Sequence, residues 1–418
     1  MIPTDTRETI SGVRIERMAH GGRGIALIDA RVVFVAGAFP GDVVTIAVHK
    51  KKKRFWEATA VAVEQPSELR GEERCPAAAA GAGCCDFSAV RPDKELELKA
   101  GILRDQLGRI GALEGLPEPT LRTLEPVSGW RSRARLGVDK QGRAGTRKAQ
   151  STAVVTDVAC SQLVPGLARG IVGEDARRFT PGAEVIAVMD DAGERHVLEA
   201  RAAARGRRTE KTTGLIEGSG TVTQTVGATT FRFPATAFWQ AHVAAPGAYA
   251  EAVAGLLRQG LERYFSENTQ ASPVGWDLYG GVGLFIPTLR DVLGADAQIY
   301  SVDYSAAASG QAHSWPEGVT MVNARVDAAV SQLPRPDAVI LDPPRSGAGA
   351  AVIAQVAQAR PRAVVHIGCD PATLARDLGY WSAQGMTVAQ MQLIDAFPGT
   401  HHFEVLVLLV PAATAAHK

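Results

Sequence analysis

From about residue 8 to residue 65 the chain reads as short apolar, β-branched runs broken by glycine and proline. Val13-Arg14-Ile15 and Ile25-Ala26-Leu27-Ile28 flank the turn Gly21-Gly22-Arg23-Gly24. Arg31-Val32-Val33-Phe34-Val35 and Val43–Val48 flank the turn Phe39-Pro40-Gly41-Asp42, and a last run, Ala58–Val63, ends before Pro66. Four or five short strands with such turns predict a small closed barrel of the OB type over residues 1–66. Barrels of this kind commonly hold nucleic acid on an exposed basic face. Residues 67–95 are a loop rich in cysteine, glycine and alanine. A helix follows, with Leu96, Leu103, Leu107 and Ile110 near one face. The rest of 96–229 alternates as a strand-rich, mixed α+β domain.

The pattern changes near residue 230, where fully apolar strands alternate with alanine-rich helices. The strands predicted are Gly275–Tyr279, Gln298–Val302, Ala338–Leu341, Ala363–Ile367 and Val405–Leu409. This alternation implies an α/β, Rossmann-like, mostly parallel sheet over residues 230–418, with helices on both faces and ligands at the carboxyl ends of the strands.

Composition narrows the class. Of 418 residues, 46% are hydrophobic and 21% charged, the balance of a globular chain. The N-terminus lacks an apolar leader, and no run is long enough to span a bilayer, so a cytoplasmic location with no membrane partner is expected; a monomer is the expectation by default. Net charge is only +1, but the basic residues cluster in the first half. Lys50, Lys51, Lys52, Lys53 and Arg54 form one run; Arg131, Arg133 and Arg135 a second; Arg201, Arg205, Arg207, Arg208 and Lys211 a third. A strand would put the three arginines of the second group on one face. Lys51, Lys52, Arg131 and Arg133 are the candidate contacts to an RNA backbone.

Two strand ends carry a candidate cofactor site. Asp277-Leu278-Tyr279-Gly280-Gly281-Val282-Gly283 closes one strand with a turn that lets a ligand approach the backbone. The next strand ends in Asp303, placed to accept hydrogen bonds from both hydroxyls of a ribose. Ile286 stands where a phosphate-binding Gly-x-Gly-x-x-Gly would need its last glycine. That favours S-adenosylmethionine, which has no phosphates, over a dinucleotide.

Two further strand ends carry candidate chemistry. One runs into Asp342-Pro343-Pro344-Arg345, the other into Cys369-Asp370-Pro371-Ala372-Thr373, and Glu404 stands just before the last strand. Methylation of uracil at carbon 5 needs a thiolate to add to carbon 6, then a base to take the proton from carbon 5. Cys369 and Glu404 suit those roles. Taken alone, Cys369 would be a small buried hydrophobe and Glu404 a solvated carboxylate; the pairing gives them weight.

Cys369-Asp370-Pro371-Ala372-Thr373-Leu374-Ala375-Arg376-Asp377 closely resembles the catalytic motif of the RNA 5-methyluridine methyltransferases. Phe34-Val35-x-Gly37-Ala38-x-Pro40-Gly41 is similar to a TRAM domain, and Phe238-Trp239-Gln240 resembles the family's cofactor-contacting motif. The resemblance covers nearly the whole chain. It implies Cys369 as nucleophile, Glu404 as base and Asp342 as a carboxylate beside the target base. It also implies Gln240, Gly281 and Asp303, with Asp277, Tyr279 and Asp342 around them, as cofactor contacts. Asp370 stands where the family usually has asparagine. Many members carry a four-iron, four-sulfur cluster on three clustered cysteines and a later one. Here Cys75, Cys84 and Cys85 with Cys160 supply four thiols at a different spacing, and a 4Fe-4S cluster is the expectation.

Ribosomal RNA is expected as the substrate ahead of transfer RNA, on the strength of the cysteine loop. Two alternatives stand beside this reading. One is an RNA 5-methylcytosine methyltransferase, although such enzymes usually carry a cysteine where Arg345 follows Asp342-Pro343-Pro344. The other is a non-catalytic TRAM-type RNA-binding protein. A radical adenosylmethionine enzyme would need a Cys-x3-Cys-x2-Cys triad, which is missing.

Overall fold

Alternating inward positions close the first unit of the structure. The coordinates are a computed structural model describing residues 8–111, 113, 115–149, 151–202, 211–262, 272–304 and 315–412. Strands Thr9–Arg14, Arg17–Ala19, Arg23–Ile28, Arg31–Ala36, Val43–Lys51 and Phe55–Gln65 form one curled sheet. Val13, Ile15, Ala26, Val33, Val35, Val44, Ile46 and Val48 fill its interior. Buried Asp42 pins the exit: it accepts the amides of Phe39 and Ser67, each at 2.8 Å, and the Arg70 guanidinium at 2.7 Å. Burial alone would push its pKa up; the hydrogen bond from Arg70 and those two amides outweigh it and hold it low.

Eight strands build the C-terminal sheet. From edge to edge they are Val319–Asn323, Gln298–Asp303, Val274–Leu278, Ala338–Leu341, Ala363–Gly368, Glu404–Pro411, Met386–Asp395 and Thr120–Thr123. All run parallel except Glu404–Pro411, which is antiparallel to both neighbours. Ala338–Leu341 and Ala363–Gly368 are buried at every position, as a strand covered on both faces must be. Helices Ala245–Leu261 and Ile286–Leu293 pack one face, and Gly349–Gln358 and Pro371–Ala383 the other, giving two apolar clusters on either side of the sheet. The five strands predicted from the sequence are all present. The edge strand Thr120–Thr123 was expected in the central domain and belongs instead to this sheet.

Helix Pro92–Gln106 also packs on the C-terminal unit, and its inward face differs from the predicted one. Leu103 and Leu107 are buried, but Ile110 is 45% exposed. Glu95 and Lys99 point inward instead: the Lys99 ammonium lies 2.8 Å from Glu95 and 2.7 Å from Asp395. A buried charge tolerates this position because it is paired on two sides and donates to the Phe397 carbonyl as well.

The central sheet orders as Val154–Val155, Ala144–Arg147, Arg133–Val138, Glu184–Met189, Arg195–Ala202 and Lys211–Glu217. A separate hairpin, Thr221–Val226 with Thr229–Pro234, leads directly into the loop that carries Gln240. Phe231 and Phe233 pack on Trp239 with ring centres 5.2 and 5.0 Å apart, which fixes that loop against the hairpin. Among the described residues no helix is long and apolar enough to cross a membrane.

Candidate active site

Sheet register brings the predicted chemistry together. Ala363–Gly368 and Glu404–Pro411 pair antiparallel as far as Gly368 opposite Val405. One step further, Cys369 stands across from Glu404. Asp342 leaves the neighbouring strand beside them, its amide bonded to the Leu278 carbonyl at 3.2 Å. Asp342 and Cys369 each follow the end of a buried strand, and Glu404 opens one.

The electrostatics are those of an acidic site largely withdrawn from solvent. Burial, then the charges of Glu404 and Asp342, push the Cys369 thiol up to about 12. Burial and Asp342 raise Glu404 well above the ordinary carboxylate range, while Arg345 opposes them. One Glu404 oxygen is buried without a hydrogen-bond partner. Burial and repulsion from Asp277 bring Asp342 up to about 7. A carboxyl with high proton affinity is a better base once ionised than one in water.

The sequence did not single out Tyr249, on the inner face of helix Ala245–Leu261. Its hydroxyl is buried with no partner, and burial and the charges of Glu404 and Asp342 raise its pKa. It faces the same carboxylates as Cys369. Helical periodicity marks it only as a core aromatic, so no sequence signal distinguishes it.

The cofactor candidates gather at the ends of the next strands. Tyr279, Gly281 and Gly283 take positive φ angles of 63°, 56° and 82°. The Gly281 amide donates to Asp303 at 3.1 Å, and Ser301 donates to Asp277 at 2.8 Å. A Cβ at Gly280 would lie 2.3 Å from both Asp277 and Ser301, so only glycine fits. A Cβ at Gly281 would meet nothing within 4 Å, which leaves room for a ligand against the turn. Burial raises Asp277 to about 7 despite the Ser301 hydrogen bond, and its second oxygen has no partner. Gln240 is buried at the start of the segment leading into helix Ala245–Leu261. Together these residues fit a nucleoside-bearing, cationic cofactor: a carboxylate held at a ribose position and an unpaired acceptor beneath it.

Asp342 and Asp277 carry a stability consequence. Each has a folded pKa above its unfolded value, so ionisation opposes folding, and stability falls as pH rises from about 4 toward 7. Asp342→Asn removes that opposition. Thermal unfolding at pH 7.5 should show the variant melting about 2 °C above the parent, with the difference gone at pH 4. An equal or lower melting temperature at pH 7.5 would show that Asp342 is ionised without cost.

The basic candidates divide. Lys51 and Arg31 lie over the Trp56 ring at 4.2 and 4.8 Å, and Lys52 over Phe55 at 4.9 Å. This is a cationic, aromatic face on the barrel; Lys51 also pairs with Glu8. Arg131 stacks on Trp130 at 5.0 Å. Arg133 is turned inward and donates to the carbonyls of Ala235 and Ala237, at 3.1 and 2.5 Å, so its guanidinium braces the loop of Gln240 rather than facing a phosphate. Arg135 is exposed and paired with Glu184. Arg205, Arg207 and Arg208 lie outside the described residues.

Cys75, Cys84, Cys85 and Cys160 converge, as the sequence suggested, with every sulfur within 4.8 Å of the others. The separations recorded are 3.2 Å for Cys85–Cys160, 3.4 Å for Cys84–Cys85, 3.5 Å for Cys84–Cys160 and 3.7 Å for Cys75–Cys160. A four-iron cube binds each thiolate at a different outward corner, so its sulfurs are separated by the body of the cube. These four are too close together for that, and the expected 4Fe-4S cluster does not fit the site.

A parallel sheet with one reversed strand, a glycine turn feeding an acidic strand end and a thiol with carboxylates at the carboxyl edge define a Rossmann-like S-adenosylmethionine methyltransferase domain. Here it follows a TRAM barrel and a mixed α+β unit. Comparison with known proteins agrees. Residues 331–412 match the tRNA (uracil-5-)-methyltransferase family model, and residues 7–61 the TRAM domain. An uncharacterized RNA methyltransferase of Corynebacterium glutamicum is 51% identical over 97% of this chain and 99% of its own. The 23S rRNA (uracil(1939)-C(5))-methyltransferase of Methylococcus capsulatus is 31% identical over 94% and 95%. The crystal structure of Pyrococcus abyssi tRNA (uracil-54, C5)-methyltransferase with S-adenosyl-L-homocysteine shares the fold, with a TM-score of 0.67 at 17% identity, covering 95% of this chain and 99% of that one. The chain belongs to the RNA (uracil-5-)-methyltransferase family.

Proposed function

We propose that this protein transfers the methyl group of S-adenosylmethionine to carbon 5 of a uridine in RNA through a covalent bond to Cys369. The observation that carries the reading is a strand pairing that ends at Gly368 opposite Val405, which leaves Cys369 and Glu404 next along the same sheet edge, near enough for the Glu404 charge to act on the thiol. The Cys369 thiolate adds to carbon 6, which leaves carbon 5 as the nucleophilic end of an enolate. Carbon 5 takes the methyl group, which S-adenosylmethionine supplies from its sulfonium. Glu404 accepts the proton from carbon 5, the electrons of that bond form the 5,6 double bond, and the thiolate leaves. Asp303 and Gln240 would hold the cofactor, with the glycine turn beneath it. Asp342 and Tyr249 would line the base, and the Trp56 face with Lys51 and Lys52 would grip flanking nucleotides by stacking and charge.

Ribosomal RNA is the favoured substrate. The support is a relative that acts on 23S rRNA and aligns over nearly the full length of both chains. Arg345, in place of a cysteine after Asp342-Pro343-Pro344, favours uracil over cytosine. A cytoplasmic monomer fits a chain that needs only RNA and a diffusible cofactor. The test is methyl transfer from labelled S-adenosylmethionine to purified ribosomal and transfer RNA from cells lacking the protein, followed by nucleoside analysis. Label in 5-methyluridine of ribosomal RNA supports the reading. Label in transfer RNA would reverse the substrate, label in 5-methylcytidine the base, and no label in either RNA would end it.

A further inference from the structure

We infer that Cys75, Cys84, Cys85 and Cys160 hold a single zinc ion. A tetrahedral zinc–thiolate site has bonds of ~2.3 Å and therefore edges of ~3.8 Å between sulfurs. Four of the six sulfur pairs lie 3.2 to 3.7 Å apart, at or inside that edge, and all six within 4.8 Å, the compact set that one shared ion needs. The donor chemistry agrees, since four thiolates in a closed tetrahedron suit zinc in a structural role. Cys75, Cys85 and Cys160 are buried, so no coordination position is left open to solvent. The ion would tie the 67–95 loop to the turn before Ser161. It would add to anchors the loop already has: the Gly83 amide on the Arg147 carbonyl, buried Phe87 with its amide on the Gly399 carbonyl, and the Arg74–Glu95 ion pair.

The test is elemental analysis and native mass spectrometry of the full chain, purified anaerobically without chelators, alongside Cys160→Ser. About one zinc per chain, released by a thiol-blocking mercurial and reduced in Cys160→Ser, is the expected result. Wild-type protein alone decides the matter if the variant fails to fold. About four irons with equal acid-labile sulfide and absorbance near 400 nm would overturn the inference, as would protein with neither metal.

A separate observation concerns the nucleophile and rests on the assignment of Cys369 above. The geometry points to His20 of the barrel as a positioning residue for the Cys369 loop. His20 Nε2 lies 2.8 Å from one oxygen of Asp370, the residue after the nucleophile. The other oxygen of Asp370 accepts the amides of Ala372 and Thr373 at 3.1 and 2.9 Å and caps helix Pro371–Ala383. Burial would raise Asp370, but His20 and these amides hold it down at about 2, so the carboxylate only accepts and His20 donates. The same barrel turn reaches the loop before Glu404: a Cβ at Gly22 would lie 3.0 Å from the His401 Cβ and 2.1 Å from Asp86, which pairs with His401. One turn of the RNA-binding barrel thus braces both catalytic loops.

His20→Ala should lower kcat about tenfold and leave KM for RNA within about twofold, because a charge-assisted bond to the loop is lost while the barrel's RNA face is intact. His20→Gln, whose amide can donate to Asp370, should restore most of the rate. An effect on KM alone, or a glutamine variant as slow as alanine, would overturn the assignment. Alkylation of Cys369 by iodoacetamide, read by peptide mass spectrometry, needs no RNA and so separates this proposal from the methyltransferase reading. It should run about threefold faster in His20→Ala than in the parent or His20→Gln as the loop loosens; equal rates in all three would end the proposal.

Discussion

Cys369→Ala is expected to eliminate the covalent complex with 5-fluorouridine-substituted RNA and to cut methyl transfer on the order of 10⁴-fold or more. Fluorine at carbon 5 cannot leave as a proton, so wild-type protein should stop with RNA bound to the Cys369 sulfur and the methyl group already transferred. Intact mass spectrometry reads that species directly. The thiol is held near 12 by burial and two carboxyl neighbours, against an ordinary value of ~8.5, so little thiolate exists at neutral pH. The trapping rate in wild type should therefore rise with pH across the neutral range instead of levelling near 8. A complex formed by the alanine variant would remove Cys369 from the reaction, and a pH-independent rate would show that RNA binding supplies the deprotonation.

Glu404→Gln is expected to have the second largest effect and the opposite phenotype. Addition and methyl transfer do not need the Glu404 carboxylate, but loss of the carbon 5 proton does. The variant should accumulate a methylated covalent complex on ordinary RNA, with turnover reduced about 10³-fold. Denaturing gels with labelled RNA would show a band that wild type lacks. Normal turnover would assign the base elsewhere; Tyr249 and Asp342 share the site. A variant with neither adduct nor turnover would place Glu404 before the methyl transfer, in thiol deprotonation.

The site was more legible than the scaffold around it, for a physical reason. Strands buried on both faces read as unbroken apolar runs, so Ala338–Leu341 and Ala363–Gly368 stand out, and whatever follows them must sit at the ligand edge. That logic placed Asp342 and Cys369 at the strand ends, where the structure has them. Residues defined by a partner far along the chain left no such trace. His20 reads as an ordinary turn residue because Asp370 lies 350 positions away. Lys99 reads as an exposed helix position because the carboxylate that neutralises it, Asp395, arrives from another element. Arg133 has the spacing of an exposed strand face, yet the loop carbonyls that receive it come from residues about a hundred positions later. In the cysteine loop, identity was legible and separation was not: sequence gives the count of thiols, and only coordinates show that they are close enough to share one ion.

The strand Thr120–Thr123 has a consequence for how the molecule is made. It lies parallel to Met386–Asp395 and forms the outer edge of the catalytic sheet, although it is synthesised more than 250 residues earlier. On the ribosome this segment leaves the exit tunnel first, next to a barrel whose strands all lie within residues 9–65, and then waits for its pairing partner near the end of the chain. The catalytic unit is therefore one of the last parts to be completed, with the high contact order that slows folding. A fragment beginning at residue 230 would keep Cys369 and Glu404 but leave the backbone of Met386–Asp395 unpaired along that edge, open to pairing with other copies. Appending RNA-binding modules to a methyltransferase has here become interleaving, and the pieces can no longer be inherited or expressed one at a time.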